Sequence, residues 1–330
     1  MRKKSFFLAL AVILAASFAG CAKKEDVIVR TGEGKGLTAP AIDADPIALL
    51  PGNAVGVAAI DARKLFQSSF GSALLAIVRA RSPLPARAEF EPSRDLERIY
   101  LGAYSMQGAD VAAVAVGSFK PERIAAAEGE LKTVTGAPVV KSTYAGRTLY
   151  TSGGIGFTVL TEKTVIFGNE TGMRRALDRI EEGRVSRRLA PWMLNILSEP
   201  KAPLSAGADI TSQPLPSAAR SELRFLEGLK TASVLGNFES PGLNLAGTMT
   251  YNDAEGARRG ADRMLDLHGR LSTYAGVMAL IGFPQPVKKL DARAEEDQVR
   301  FVMGVDGQAV AILLGKAQAY LSALPTSPPP

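Results

Sequence analysis

Val55-Gly56-Val57-Ala58-Ala59-Ile60-Asp61 is a short apolar run closed by an acid, and it sets the reading of the chain around it. A run of this length reads as a strand. Residues 62–79 follow with Leu65, Phe66, Phe70, Leu74, Ile77 and Val78 on one broad face, which is a helix pattern. A loop carrying Pro83, Pro85 and Pro92 leads to a strand at 98–105, and Gln107-Gly108-Ala109 turns it into a strand at 110–119. Pro121 opens a second helix, where a missing N–H does no harm. Ile124, Ala127, Leu131 and Val134 line that helix at three- and four-residue spacing. Short strands at 147–151, 156–161 and 164–168 close the first half, with turns at Gly153-Gly154 and Glu162-Lys163.

The same order then recurs. A short strand at 204–210 ends near Asp209 as the first ended at Asp61, and a helix is expected at 215–229. Next comes a hairpin, 231–238 and 243–251, around Glu239-Ser240-Pro241-Gly242. Leu243, Leu245, Met249 and Tyr251 alternate there, which marks one buried face. Asp253 is placed to cap a long helix at 254–281. Strands at 288–294 and 298–305 and a helix at 308–321 complete the half. Between the halves lies a helical connector, 171–182 and 189–197, around Pro191-Trp192. The expectation is an α+β fold of two ferredoxin-like (split β-α-β) repeats, at 51–200 and 201–324. Each would have an antiparallel sheet with helices packed on one face. The duplication rests on element order, since the halves share no matching motif. The opening Leu49-Leu50-Pro51, leading to a short apolar strand ending in Asp61, resembles a loose class of uncharacterised bacterial envelope proteins. That class brings no activity with it.

The N-terminus reads as an export signal. Met1-Arg2-Lys3-Lys4 is basic, residues 6–18 are apolar and small, and Ala19-Gly20-Cys21 ends the run with small residues. A membrane-crossing helix needs about 20 apolar residues, and this run is shorter. Phe18-Ala19-Gly20-Cys21 resembles the lipobox of bacterial lipoproteins, although Phe18 stands where Leu is usual. The resemblance implies cleavage between Gly20 and Cys21, lipidation of the Cys21 thiol, and removal of residues 1–20. Ala22, with no Asp after the cysteine, leans towards the outer membrane by the same resemblance. Residues 21–50 read as a flexible tether, with Thr31-Gly32-Glu33-Gly34-Lys35-Gly36 and the breakers Ala39-Pro40 and Asp45-Pro46. Residues 325–330 form a Pro-rich tail.

Chemistry is scarce. Cys21 is the one cysteine of the chain and His268 the one histidine. A disulfide, a Cys nucleophile and a multi-histidine metal centre are therefore excluded, and no cofactor or metal is expected. No G-x-S-x-G elbow supplies a serine for His268, which sits inside the long predicted helix. Glu181-Glu182 and Glu295-Glu296-Asp297 lie at a helix end and a turn, without the separation that paired catalytic carboxylates need. Asp61 and Asp209 are the most suggestive pair, and capping the following helix is their simpler role. Removing residues 1–20 lowers the formal charge from +6 to about +3, and basic residues never run longer than a pair, so no nucleic-acid partner is indicated. Arg174-Arg175, Arg187-Arg188, Arg258-Arg259 and Lys288-Lys289 read as solvated surface, with a second reading of Arg174-Arg175 and Arg184, Arg187 and Arg188 as contacts for anionic lipid headgroups or an acidic partner.

The long helix carries the sharpest pattern. Ala257, Ala261, Met264, Leu267, Leu271, Tyr274, Met278 and Ile281 recur near a heptad spacing. The seam suits packing on the chain's own sheet, or a protein partner or homodimer through 254–281. Val277-Met278-Ala279-Leu280-Ile281-Gly282-Phe283 is apolar all round and is expected in the core. The functional expectation is a non-enzymatic envelope lipoprotein, facing the periplasm, with a binding or structural role at the membrane surface. The alternative is a carrier of a lipid or other apolar ligand between sheet and helices, which requires an apolar cavity.

Overall fold

The computed structural model describes residues 37–105, 110–132, 138–183, 185–199, 201–213 and 223–323. Gly20, Cys21, the turn at 107–109, Val134, Arg184, most of the expected helix at 215–229 and the tail at 325–330 lie outside the described residues.

One sheet of twelve strands organises the molecule. In chain order the strands of the first half are β1 (Gly56–Asp61), β2 (Leu96–Ala103), β3 (Val111–Gly117), β4 (Val140–Tyr144), β5 (Arg147–Ser152), β6 (Ile155–Val159) and β7 (Thr164–Asn169). Those of the second are β8 (Leu204–Asp209), β9 (Leu229–Asn237), β10 (Gly242–Tyr251), β11 (Val287–Glu295) and β12 (Gln298–Asp306). The helices of the first half and connector are α1 (Ala39–Ala44), α2 (Ala62–Gln67), α3 (Gly71–Arg81), α4 (Pro92–Asp95), α5 (Pro121–Ala126), α6 (Glu170–Glu181) and α7 (Pro191–Leu197). The second half adds α8 (Ala254–Thr273), α9 (Ala275–Leu280) and α10 (Gly307–Ala323).

The strand order is β11-β12-β10-β9-β8-β1-β2-β3-β7-β6-β5-β4, and neighbours are antiparallel throughout. The two strands matched by sequence, β1 and β8, lie side by side at the centre, with Val57 opposite Gly207 and Ala59 opposite Ser205. Outward from that seam the halves run β1-β2-β3-β7-β6 and β8-β9-β10-β12-β11. This corrects the expectation of two separate ferredoxin-like sheets. In such a repeat the opening strand and the strand after its helix flank a third strand. Here β1 pairs directly with β2, and β8 with β9. Only the second unit of each half is split: β10 and β11 flank β12 with α8 between them in sequence, and β3 and β6 flank β7. Pairing β1 with β8 leaves neither half with an open inner edge, whose unpaired N–H and C=O groups would otherwise need covering.

The helices also occupy both faces of the first half. Val57, Ala59, Tyr100, Val114, Leu149 and Ile166 meet Met173, Leu177 and Ile180 of α6 and Met193 and Leu197 of α7 on one face. Ile99, Ala115 and Val165 meet Ala62 and Phe66 of α2 on the other, together with Phe119. A strand covered twice needs no alternation, and Ala112-Ala113-Val114-Ala115 is buried throughout.

The supposed tether to residue 50 is the second correction. Residues 37–50 are built into the body: Ile42, Leu49 and Leu50 are fully buried, and Leu37 N–H donates to the Ile180 carbonyl. Pro40 and Pro46 sit in the first turns of short helical segments, where proline starts a helix as readily as it breaks one. Asp43 accepts hydrogen bonds from the hydroxyls of Thr161 and Thr164, at 2.6 and 2.7 Å, tying this segment to the β6–β7 turn. The helix expected over 62–79 is two helices, α2 and α3, interrupted at 68–70. The edge strand β4, largely polar and exposed, went unread in the sequence.

Candidate functional site: an apolar tip and an open sheet face

Helix α8 shows how the second half is held. The Asp253 side chain accepts from the Gly256 N–H at 2.7 Å, the expected cap. Ala257 and Ala261 are buried beside Met249, Tyr251, Ala292 and Val299. The heptad-like seam is thus used on the chain's own sheet over its first half. Gly260 lies under Tyr251 so closely that a Cβ there would sit 2.4 Å from the phenol oxygen. Burial of the Tyr251 ring pushes its phenol pKa up to about 12, and the hydroxyl donates to the Phe225 carbonyl at 2.6 Å.

Beyond Thr273 the helix leaves the sheet. Tyr274 breaks it, α9 follows, and Gly282 with φ +78° ends the turn, as a helix-terminating glycine does. Val277 is 63% exposed, Leu280 88% and Ile281 60%. The core position expected for this stretch is therefore incorrect: α8 is longer than the sheet face beneath it is able to cover. Tyr274, Ile312 and Tyr320 are further large apolar side chains left exposed, the latter two on α10. The Lys316 ammonium of α10 lies 4.6 Å from the centroid of the Phe283 ring, fastening α10 to the tip. His268 takes part in a separate contact, between α8 and the chain leaving the tip. Its Nδ1 lies 3.4 Å from Gln285 Nε2, which also donates to Ser272 Oγ at 3.0 Å.

The second feature is the sheet face opposite α8. Following paired residues outward from Val57 and Ala59 places Ser233, Leu235, Ala246, Thr248, Arg300 and Val302 on the face that α6 and α7 cover in the first half. Among the described residues coverage stops at α7, where Trp192 and Ile196 pack on Gly207. Beyond it run two open grooves of 520 and 330 Å³ that share Glu199, Leu235, Ala246 and Val302. Val302 is 52% exposed. The sheet–helix interfaces themselves are filled by side chains.

The remaining sequence candidates are placed as follows. Asp61 caps α2, accepting from the Lys64 N–H. Asp209 instead accepts from the N–H and hydroxyl of Thr211, forming a local turn and capping no described helix. Glu295 pairs with Arg300, and Glu296 adopts φ +54° in the β11–β12 turn. Glu181 closes α6 and Glu182 follows it, at the surface end of the helix. Arg174 pairs with Glu170 and stacks on Tyr144, Arg175 pairs with Asp110, and Arg187 pairs with Asp45. These arginines make ion pairs at the surface that leave Arg175 and Arg187 partly in water. Arg259 pairs with Glu255, and Arg258 donates to the Ala254 carbonyl. Burial, reinforced by a hydrogen bond to Asp178, pushes the Tyr144 phenol up to about 12. Burial likewise raises Tyr104, whose hydroxyl donates to the Pro51 carbonyl at 3.0 Å. Among the described residues no cluster of three or more His, Cys, Asp or Glu is arranged to hold a metal, and no helix is long and apolar enough to cross a membrane.

This geometry defines a class: a mixed α/β body with a large antiparallel sheet and helices. No protein-family model matches the chain, and no curated protein matches it either. Among solved structures, crystal form I of TP0453 is similar, with a TM-score of 0.50 at 11% identity, over 83% of this chain and 97% of that one. Crystal form III of the same protein gives 0.48 at 10% identity, over 82% and 98%. At such identities the likeness is one of fold alone.

Proposed function

We propose that this chain is a non-enzymatic lipoprotein of the bacterial envelope, held by acylated Cys21 and acting at the membrane surface through the tip around α9. The observation that carries this reading is the wholly uncharged run from Leu271 to Val287, half-buried at its ends, with Val277, Leu280 and Ile281 exposed at its apex. Moving those three side chains from water into lipid is favourable by on the order of 4 kcal/mol. That is too little for a permanent hold, but the tether changes the arithmetic. Leu37 is the first described residue, and the sixteen residue steps from Cys21 to it span at most roughly 58 Å. An acylated chain would therefore hold Leu37 within that distance of the bilayer, and one marginal contact added to an anchor becomes a stable one.

The outer membrane, with the body facing the periplasm, is the location we assign from the residue after Cys21. The matching outward orders of the halves support an ancestral duplication, each copy retaining one split β-α-β unit. The first half of the 254–281 seam is spent on the chain's own sheet, its far half is left for a partner, and that partner we take to be lipid. One observation favours the carrier reading: the grooves over Leu235, Ala246 and Val302 are apolar-floored. They are open, so a ligand there would lie on the sheet and not within a cavity.

Two variants test the proposal. Cys21→Ser should move the protein from the membrane to the soluble fraction of cells. The mature Cys21→Ser chain should still float weakly with phosphatidylcholine vesicles, and Leu280→Asp with Ile281→Asp should abolish that flotation without lowering the melting temperature. Retention of Cys21→Ser in membranes only by another route, or flotation indifferent to the tip, defeats the reading.

A further inference from the structure

The apolar tip does not stand alone; the charge around it is net positive, because Asp266, Asp291 and Asp306 are each paired with a cation and, among the described residues, Lys289 and Lys316 are not paired with an acid. Between Leu271 and Val287 no residue is charged, and the chain then places Lys288 and Lys289 side by side. Across the tip, Lys316 is the sole charged residue of α10, and its ammonium sits 4.6 Å from the Phe283 ring centroid, close against Gly282. Lys288 and Lys289 are exposed at the start of β11. Lys288 lies 3.7 Å from Asp306, a solvated pair that is worth little and leaves both groups in water. On α8, Asp266 pairs with Arg270, so that part of the helix contributes no net charge. Lysines at the rim of an apolar surface have the stem length to lie along it with the ammonium at headgroup level.

From this arrangement we infer that the tip selects anionic lipid, with Lys288, Lys289 and Lys316 meeting the headgroup phosphates around the inserted apolar apex. The inference rests on the membrane-surface reading above and adds the lipid class to it. A lysine held near an anionic bilayer adds about 1 kcal/mol, or roughly fivefold in partitioning, and salt weakens it.

The test uses the mature Cys21→Ser chain with vesicles of phosphatidylcholine alone and of phosphatidylcholine mixed with phosphatidylglycerol. Binding to the mixed vesicles should be at least about tenfold stronger at low salt, the joint effect of three lysines after partial screening. Replacing Lys288 and Lys289 with Gln should remove most of that gain and leave binding to phosphatidylcholine unchanged, whereas replacing all three lysines with Arg should retain it. Lys289→Glu, at an exposed side chain, gives the same test with the least risk to folding and should lower the gain severalfold. Equal binding of the parent chain to both vesicles, or a gain that survives the Gln replacements, overturns the lipid preference while leaving the tip reading intact. Binding to neither vesicle, or to an acidic soluble protein instead, overturns both.

Discussion

The two halves share one outward strand order but differ in what covers them. In the first, α6, α7 and the 37–50 segment close one face and α2 the other, so Val114, Leu149 and Ile166 are buried under the first cover and Ala115 and Val165 under the second. In the second, α8 closes one face, the opposite face is open beyond α7, and the far end of the α8–α9 arm stands exposed. The difference separates two uses of one topology. On the function proposed above the first half serves as scaffold, and the second half carries the exposed apolar surfaces of the tip and the open face.

That contrast makes graded predictions. The largest effect should come from Leu177→Ala, which empties a site packed on both sides and should cost about 2–5 kcal/mol in urea unfolding. Gly260→Ala follows, because the new methyl meets Tyr251 at 2.4 Å, and about 1–3 kcal/mol is expected. Should Gly260→Ala be silent, α8 is not docked as described. Alkaline titration probes both halves at once. Tyr144 and Tyr251 keep their protons up to about 12, whereas unfolded tyrosines ionise near 10. Their contribution to stability is therefore complete below about pH 10 and lost as pH rises through about 12. Tyrosinate absorbance from these two should appear late and together with loss of circular dichroism. The smallest effect belongs to the open face: Val302→Ala should change stability by less than about 0.5 kcal/mol.

The sequence disclosed the elements better than their arrangement. Alternation of Leu243, Leu245, Met249 and Tyr251 revealed a strand buried on one side, and Asp61 and Asp253 marked true helix starts. The match between the strands at Asp61 and Asp209 was legible as well, but their pairing at the centre of one sheet was not, since nothing local specifies which strand edges meet. Pro40 and Pro46 misled because proline both stops and starts helices, and only Ile42, Leu49 and Leu50 betrayed a buried segment. The stretch 277–283 misled for a related reason. Its composition demanded burial, and the sequence alone does not show that the sheet ends before the helix does. The exposed tip was visible as a pattern and misplaced as a location.

The central claim is that the second half, through its tip, is the part that touches lipid. Cys21→Ser leaves a chain without cysteine, so single cysteines report one position at a time. An environment-sensitive fluorophore at Leu280→Cys should shift to the blue on adding vesicles. The same fluorophore at Val140→Cys, an apolar side chain 60% exposed on the polar edge strand of the first half, should not. A shift at Val140 with none at Leu280 would contradict the account.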